Sequence, residues 1–370
     1  MMKDKIGVII HPIDRRLLCN YEPGMKRLGP NVADKILEWM SPFHAGTIEG
    51  AVSVVTKEKL DVDLVMCPLL LEQMASLSPR RALNKVIKAV RFAEAREARA
   101  IALVAYTALV GGRGVKVQEA SNVPITTGNH LSLAAMPESV LSAIGLLGKS
   151  SYDMKMFIFG ANPLAYAFVH RMGHCLKKIY LCHPAVEKNK TYLEALPNEL
   201  KKKVKIVNCN PITILGGVDI VVNATSRYPS LLNERLLKSG SIIFDASYPR
   251  TINISRKDLL LMDGAMMRPP GGPNFNFNFN FNFPTDLCYP CIAEPMVLAF
   301  EDRYESYSLG KDFSMHKVDI IWELAIKHGF DLGPITSYER IIPKDKIDEV
   351  KRLSSGRHSF MKVFDFFKQK

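Results

Sequence analysis

Met154-Lys-Met-Phe-Ile-Phe159-Gly160-Ala161-Asn162-Pro163-Leu164-Ala165-Tyr166 is the stretch from which the fold is read. Its first six residues are apolar but for one lysine, as in a short buried strand, and the glycine and Asn-Pro pair that follow mark a turn. A helix then continues to about Arg171. Downstream, Ile179 to Cys182, Val204 to Val207, Val218 to Asn223 and Ser241 to Asp245 are further short apolar runs, with intervening segments able to be helical. Strand and helix in alternation predict a Rossmann-like parallel sheet with helices on both faces.

A dinucleotide-binding turn uses its glycines for a tight bend, for close approach of the pyrophosphate and for helix packing. Here only Gly160 is present, with Pro163 and Tyr166 where further glycines would stand. The second strand is followed by His183-Pro184 instead of the acidic residue that would bind a ribose hydroxyl, which disfavours NAD without positively supporting NADP.

Upstream of this domain, Ile6 to Ile10 is a first buried strand closed by His11-Pro12, and Ala51 to Thr56 and Val62 to Met66 are further strands. From Pro79 to Arg99 the pattern is helical, with Leu83, Val86, Ile87 and Val90 as the apolar stripe. Arg81, Lys85 and Lys88 share another face, which is a solvated surface or a docking site for an acidic carrier. Ala100 to Tyr106 is a continuous strand, broken at Gly111-Gly112-Arg113-Gly114. Pro124-Ile-Thr126-Thr127-Gly128-Asn129 forms a polar loop, after which Leu131 to Leu147 makes a helix into the second domain.

The chemistry concentrates at Cys288-Tyr-Pro-Cys291-Ile-Ala-Glu294-Pro295. Pro295 fits a first helical turn, and Met296, Ala299, Phe300, Arg303, Tyr304 and Tyr307 recur at helical spacing, so an amphipathic helix is expected with Cys291 at its N-terminus. The partial positive charge there favours a thiolate, as a nucleophilic cysteine requires. On spacing alone, a small buried residue is the commoner role for such a cysteine. A zinc site needs a second pair of ligands at similar spacing, and cysteines 19, 67, 175, 182 and 209 offer none, so no metal is expected.

With 370 residues the chain has room for two or three domains. Its net charge of +12 suits an acidic partner, but the basic residues are dispersed and lack interleaved aromatics, so nothing beyond net charge supports nucleic-acid binding and none is expected. Seven cysteines at irregular spacing are no disulfide framework and fit a reducing cytosol. Met-Met-Lys-Asp-Lys followed by four apolar residues is too short for a signal peptide, and no run is long enough for a transmembrane segment, so a soluble cytoplasmic protein is expected. Asn274 to Phe283 is five Asn-Phe dipeptides, a repeat expansion in a loop or a phenylalanine-lined flap beside the thiol. Phe360, Val363, Phe364 and Phe367 place an apolar stripe on a C-terminal helix that packs on the body or meets a partner or membrane surface.

Gly7-Val-Ile-Ile-His11, Cys67-Pro-Leu-Leu-Leu-Glu72-Gln-Met74, Thr126-Thr127-Gly128-Asn129, Asp245-Ala-Ser-Tyr248-Pro249, Cys291-Ile-Ala-Glu294-Pro-Met296, Ser308-Leu-Gly310-Lys and Lys327-His328-Gly329-Phe330 occur in one order along about nine tenths of the chain. This ordered set resembles the long-chain acyl-(acyl-carrier-protein) reductases that form fatty aldehydes. The resemblance implies an α/β fold in three parts: an N-terminal α/β substrate domain, 1–129, a Rossmann-like NADP-binding domain, 130–287, and a cysteine helix with a C-terminal helical region, 288–370. Cys291 matches the family's nucleophile, and its thiolate would attack an acyl thioester on acyl carrier protein or coenzyme A. NADPH would then reduce the acyl-enzyme to the aldehyde, which an aldehyde-consuming partner or a peripheral membrane would receive.

Thr126, Thr127, Gly128 and Asn129 are the substrate-binding candidates, and Gly160, Ala161, Asn162, Ala224 and Thr225 the cofactor-binding ones. The family's Gly-x-x-Gly-x-x-Gly turn is degraded at Pro163 and Tyr166, and His130 stands where a hydroxyl-bearing residue is usual. The alternatives are an acyl-binding or acyl-transfer protein that has lost hydride transfer, and an oxidoreductase of the shikimate-dehydrogenase type that needs no cysteine.

Overall fold

The computed structural model describes residues 4–367 apart from 13–14, 16–18, 20–21, 183–193, 195, 208–211, 226–231, 248–249, 278–285, 312 and 339, and apart from the side chains of 4, 212–213 and 356–367. The chain forms two compact units, Met1–Ser132 with Met266–Gly333 and Leu133–Ala265 with Pro334–Lys370.

The first unit is built on β1 (Asp4–Ile10), β2 (Phe43–Val52), β3 (Lys59–Met66), β4 (Ala100–Leu103) and β5 (Ile125–Thr126). β1 lies between β3 and β4, parallel to both, and β2 runs antiparallel on the outer side of β3. Of the helices here, α1 (Pro30–Trp39) starts on a proline, and α2 (Pro79–Glu94) turns Ala82, Val86, Ala89, Val90 and Ala93 inward. Burying each such valine contributes about 1.5–3 kcal/mol. Gly7 lets this helix close on the sheet, since a Cβ there would stand 3.1 Å from the Ala93 Cβ.

The expected strand Ala51 to Thr56 is a strand end and a turn. β2 stops at Val52, Lys57 adopts a left-handed conformation, and the Ser53 Oγ accepts the N–H groups of Val55 and Thr56 at 3.2 and 3.0 Å.

α3 (Asn129–Leu146) carries the chain into the second unit. Six parallel strands follow: β6 (Lys155–Phe159), β7 (Lys178–Cys182), β8 (Val204–Val207), β9 (Ile220–Asn223), β10 (Ile242–Asp245) and β11 (Leu260–Met262). Their order across the sheet is β8-β7-β6-β9-β10-β11, which is the doubly wound Rossmann order, with its reversal between β6 and β9. Phe159 pairs in register with Cys182 on one side and Asn223 on the other. Phe157, Phe159 and Phe244 from the strands, and Phe168 from α4 (Pro163–Met172), are fully buried. The fold is α/β with a Rossmann-like parallel sheet, as the alternation of apolar runs requires.

The chain then returns to the first unit. β12 (Asn274–Phe277) is the start of the Asn-Phe repeat and pairs antiparallel with the outer edge of β2, with Phe275 opposite Ile48. Phe275 is buried while Asn274 and Asn276 face out, so the repeat begins as an ordinary edge strand; residues 278–283 lie outside the described residues. α5 (Pro290–Phe300) packs on β1, β3 and β4, and α6 (Met315–His328) packs on α5. The last helix, α7 (Lys344–Phe367), belongs to the second unit.

Residues 288–370, expected to form a third body, are thus divided between the two units. The reason lies in α5, which apart from Glu294 is apolar and is buried from Ile292 to Phe300, so it fills a core and does not lie on a surface. For the same reason it is not the amphipathic helix expected: it ends at Phe300, and Arg303, Tyr304 and Tyr307 lie beyond it. Among the described residues, no helix is long and apolar enough to cross a membrane.

Candidate functional site

The nucleotide candidates lie together at the carboxyl end of the second unit's sheet, where the strand order reverses. Gly160 leaves β6 with φ +109°, a left-handed conformation that disfavours any side chain. Asn162 caps α4: its Oδ1 accepts the Ala165 N–H at 3.1 Å, and its Nδ2 donates to the Ala224 carbonyl at 2.6 Å. The turn after β6 is therefore tied to the end of β9. Thr225 follows, its N–H donating to the Asn223 Oδ1 at 3.3 Å. Asn223 is linked in turn to Asp245, a buried carboxylate that also accepts from Ser247, Thr251 and Ile252.

The two missing glycines have local replacements. Pro163 occupies the first helical position, where its fixed φ suits the helix and its absent N–H removes one anion donor. Tyr166 does not stand between helix and sheet, because the phase of α4 turns Ala165, Phe168, Val169 and Met172 inward and leaves Tyr166 half-buried at the side. Close approach is supplied by Ala165. Leu164 is then the first-turn residue whose N–H is neither absent nor capped, so this helix end offers an anion less than a glycine turn would. Residues 183–184, which bear on the choice between NAD and NADP, lie outside the described residues.

The other candidates meet in the first unit. Cys291 is the second residue of α5, because the helix starts at Pro290 and not after the cysteine. Pro295 accordingly lies inside the helix, where it cannot supply the N–H that would bond the Cys291 carbonyl. Gly128 (φ +68°) lies against this turn, and a Cβ on it would come within 2.2 Å of the Cys291 Cα. Thr126 donates to the Glu294 Oε1 at 2.5 Å, while the Leu131 N–H donates to Oε2 at 2.9 Å. Thr127 donates to the Ser308 carbonyl and accepts from the Asn129 amide. His130 is buried, with its N–H and Nδ1 both on the Ser308 Oγ at 3.0 and 2.5 Å. It is fixed by Ser308.

The N–H groups of Ala105, Cys291 and Ile292 surround the Cys291 sulfur and favour a thiolate, yet the net effect is the reverse of the expectation. Burial first, and the Glu294 carboxyl second, push the Cys291 thiol up to about 12. Burial also raises Glu294, against the donors that face it, and raises Cys288. The Cys291 thiol is neutral at physiological pH, and the helix end does not overcome the loss of water.

Glu294, Ser308 and Ala105 organise this site and were not assigned roles from the sequence. Ala105 (φ 52°), Arg113 (φ 59°) and Ser308 (φ 57°) are non-glycine residues in left-handed conformations, which sequence alone does not mark. Their strain collects around the Thr126 to His130 loop: the Ala105 N–H faces Cys291, the Arg113 carbonyl accepts from Gly310, and Ser308 holds His130. Among the described residues no group of three His, Cys, Asp or Glu side chains is placed to hold a metal ion. Cys182 is disulfide-bonded, whereas Cys19, Cys67, Cys175, Cys288 and Cys291 are free.

No protein family's profile matches this chain. It is 28% identical over 291 residues to Aminotransferase PigE from Serratia sp. (strain ATCC 39006), which covers 77% of this chain and 34% of that protein. The chain thus spans about a third of the length of the curated relative it matches. Among solved structures it aligns with a quinate dehydrogenase from Corynebacterium glutamicum in complex with NAD, at 12% identity and TM-score 0.35 over 67% of this chain and 81% of that one. A shikimate dehydrogenase from Aquifex aeolicus aligns at 12% identity and TM-score 0.37 over 86% and 97%. A shikimate 5-dehydrogenase from Listeria monocytogenes, in complex with shikimate and NAD, aligns at 13% identity and TM-score 0.33 over 94% and 96%.

Scores of this size describe a partial likeness and carry nothing about activity. The expectation of an acyl-(acyl-carrier-protein) reductase, and with it the reduction of an acyl thioester to a fatty aldehyde, is corrected: the curated relative is named an aminotransferase.

Proposed function

We propose that this chain is an NAD(P)-dependent oxidoreductase that interconverts an alcohol and a carbonyl compound without a covalent cysteine intermediate, the alternative of the shikimate-dehydrogenase type. The observation that carries the reading is Gly160, left-handed at the end of the first strand of a sheet in Rossmann order, at the point where that order reverses. Bound there, a nicotinamide cofactor would accept or supply the hydride. The Leu164 N–H and the backbone of Gly160 and Ala161 would face its pyrophosphate, while Ala224 and Thr225 would line the crevice at the end of β9.

Two further observations support the reading. The neutral Cys291 thiol is a weak nucleophile, which fits chemistry that does not use it. A carbonyl is also the group that aminotransferase chemistry acts on, so an oxidoreductase and the aminotransferase named in the relative share a substrate class.

The test is a fluorescence titration with NADH and with NADPH. Saturable binding of either is expected, weakened about tenfold or more in Gly160→Val, which forces a β-branched residue into a left-handed position. Oxidation of an alcohol panel should survive Cys291→Ala. Failure of both cofactors to bind sinks the proposal.

A further inference from the structure

The second unit has a cavity of about 1020 Å³ at the amino-terminal edge of its sheet. Met154, just before β6, lines it, whereas Gly160 follows the other end of that strand. Five residues of strand, about 17 Å, separate the two. The wall carries Lys149, Lys238 and Lys351 against two carboxylates, Asp153 and Asp219.

Asp219 is already engaged on both oxygens, by Lys238 at 2.9 Å and by the Lys155 N–H at 2.9 Å. Lys149 donates to the Gly240 carbonyl at 2.5 Å, and among the described residues no carboxylate pairs with it. Burial lowers its affinity for a proton; the Asp219 charge, near but not in ion-pair contact, works against that, and the neighbouring Lys238 charge adds to the lowering. Lys351 reaches Asp348, on the same helix, only at 3.9 Å. Ser150, Ser239, Ser354 and Ser355 also line it, the last three already donating to the Leu353 and Lys351 carbonyls.

The backbone is shaped to make this arrangement. Gly240 (φ +77°) admits no side chain, since a Cβ would lie 2.5 Å from the Lys149 Nζ and 2.7 Å from the Ser354 Cβ. A cavity of ligand size with an excess of ammonium groups, one of them half-buried and sharing Asp219 with Lys238 without a direct ion pair of its own, favours an anion.

We propose that this cavity binds a small phosphorylated molecule, its phosphate held among Lys149, Lys238 and Lys351. A phosphate dianion supplies countercharge to the three ammonium groups, and the remaining volume takes the body of the molecule. The site is separate from the proposed nucleotide turn, at the opposite end of the strands.

The experiment is calorimetric titration of the full chain with inorganic pyrophosphate at constant ionic strength, in parallel with NADPH. One saturable pyrophosphate site is expected, weakened about tenfold or more in Lys149→Met and in Lys351→Met, in line with the ~1.5–3 kcal/mol of a charged hydrogen bond. Affinity for NADPH should be unchanged in both. Ser354→Glu, on the partly exposed face of α7, should abolish pyrophosphate binding and keeps the test open if Lys149→Met does not fold.

Several results would overturn the proposal: no saturable binding at millimolar pyrophosphate, equal affinity in all the variants, or binding of polyglutamate but not of pyrophosphate, which would assign the face to an acidic polypeptide. Loss of pyrophosphate binding in Gly160→Val would do so too, by placing the anion at the nucleotide turn. Lysine-dependent pyrophosphate binding without NADPH binding would leave this site standing and remove only the oxidoreductase reading.

Discussion

Gly128 rests directly on the backbone of Cys291, so close that a methyl group on the glycine would overlap the cysteine Cα at 2.2 Å and its carbonyl oxygen at 2.5 Å. The contact joins the loop after β5 to the first turn of α5, and the left-handed φ of Gly128 makes the conformation doubly dependent on glycine. Gly128→Ala should cost about 2–4 kcal/mol, combining left-handed strain with overpacking. Both tryptophans, Trp39 and Trp322, lie in this unit, so tryptophan fluorescence in urea reads the loss directly. A variant as stable as wild type would mean that the loop stands further from the helix.

The Cys291 thiol, pushed up to about 12, has no plateau in the neutral range. Its alkylation by iodoacetamide, followed by peptide mass, should rise about tenfold per pH unit from pH 7 to 10. Glu294→Gln removes a neighbouring negative charge and should speed the reaction at every pH. A rate already level at pH 7 would show a thiolate and restore the nucleophile reading.

His11 is buried at the end of β1, where it bonds the Pro12 carbonyl through Nδ1 and accepts the Tyr106 N–H on Nε2, so both ring nitrogens are satisfied in the neutral form. Burial lowers it to about 4 from the ordinary 6.5. The unfolded chain therefore takes up this proton first, and the stability linked to it is full above pH 6.5 and falls away as pH drops through 4. The difference amounts to about 3 kcal/mol. Urea denaturation followed by tryptophan fluorescence at pH 7 and at pH 4.5 should show the loss, and His11→Asn should flatten it.

Asp258 is held at about 2 by its bonds from Arg256, at 2.9 and 2.6 Å. Because the folded value is depressed, its contribution is present above the ordinary value near 4 and is lost as pH falls through 2. Arg256 also donates to the Glu234 and Leu237 carbonyls, so Arg256→Gln should cost about 2 kcal/mol at pH 7. The penalty should shrink below pH 3. Hydrogen exchange of the β11 amides is the measurement, and a penalty that stays constant with pH would contradict the assignment.

The second unit was legible in the sequence because each of its strands is buried on both faces and so reads as a continuous apolar run, as at Met156 to Phe159 and Ile220 to Val222. The turn at Ala51 to Thr56 was not, since Val52, Val54 and Val55 mimic a strand. Only the left-handed Lys57 and the Ser53 hydroxyl, neither visible as hydropathy, bend the chain there. At the candidate site, the loop residue Gly128 lies against Cys291. The protonation of the thiol was misjudged, because its burial depends on Gly128 and Ala105, which are more than 160 residues away in sequence. Glu294 and Ser308 were quoted only as parts of motifs. Their roles come from bonds to Thr126 and His130, and residue spacing cannot reveal such bonds.

The division of the chain into alternating segments has a consequence for biosynthesis. When residue 265 leaves the ribosome, the second unit has all six of its parallel strands and lacks only its last helix. The first unit at that moment has β1 to β5 but neither α5 nor its edge strand β12, so the face of β1, β3 and β4 that α5 covers is still bare. Nascent chains should therefore close the second unit first, and a ribosome stalled before residue 290 would present an open apolar sheet to chaperones.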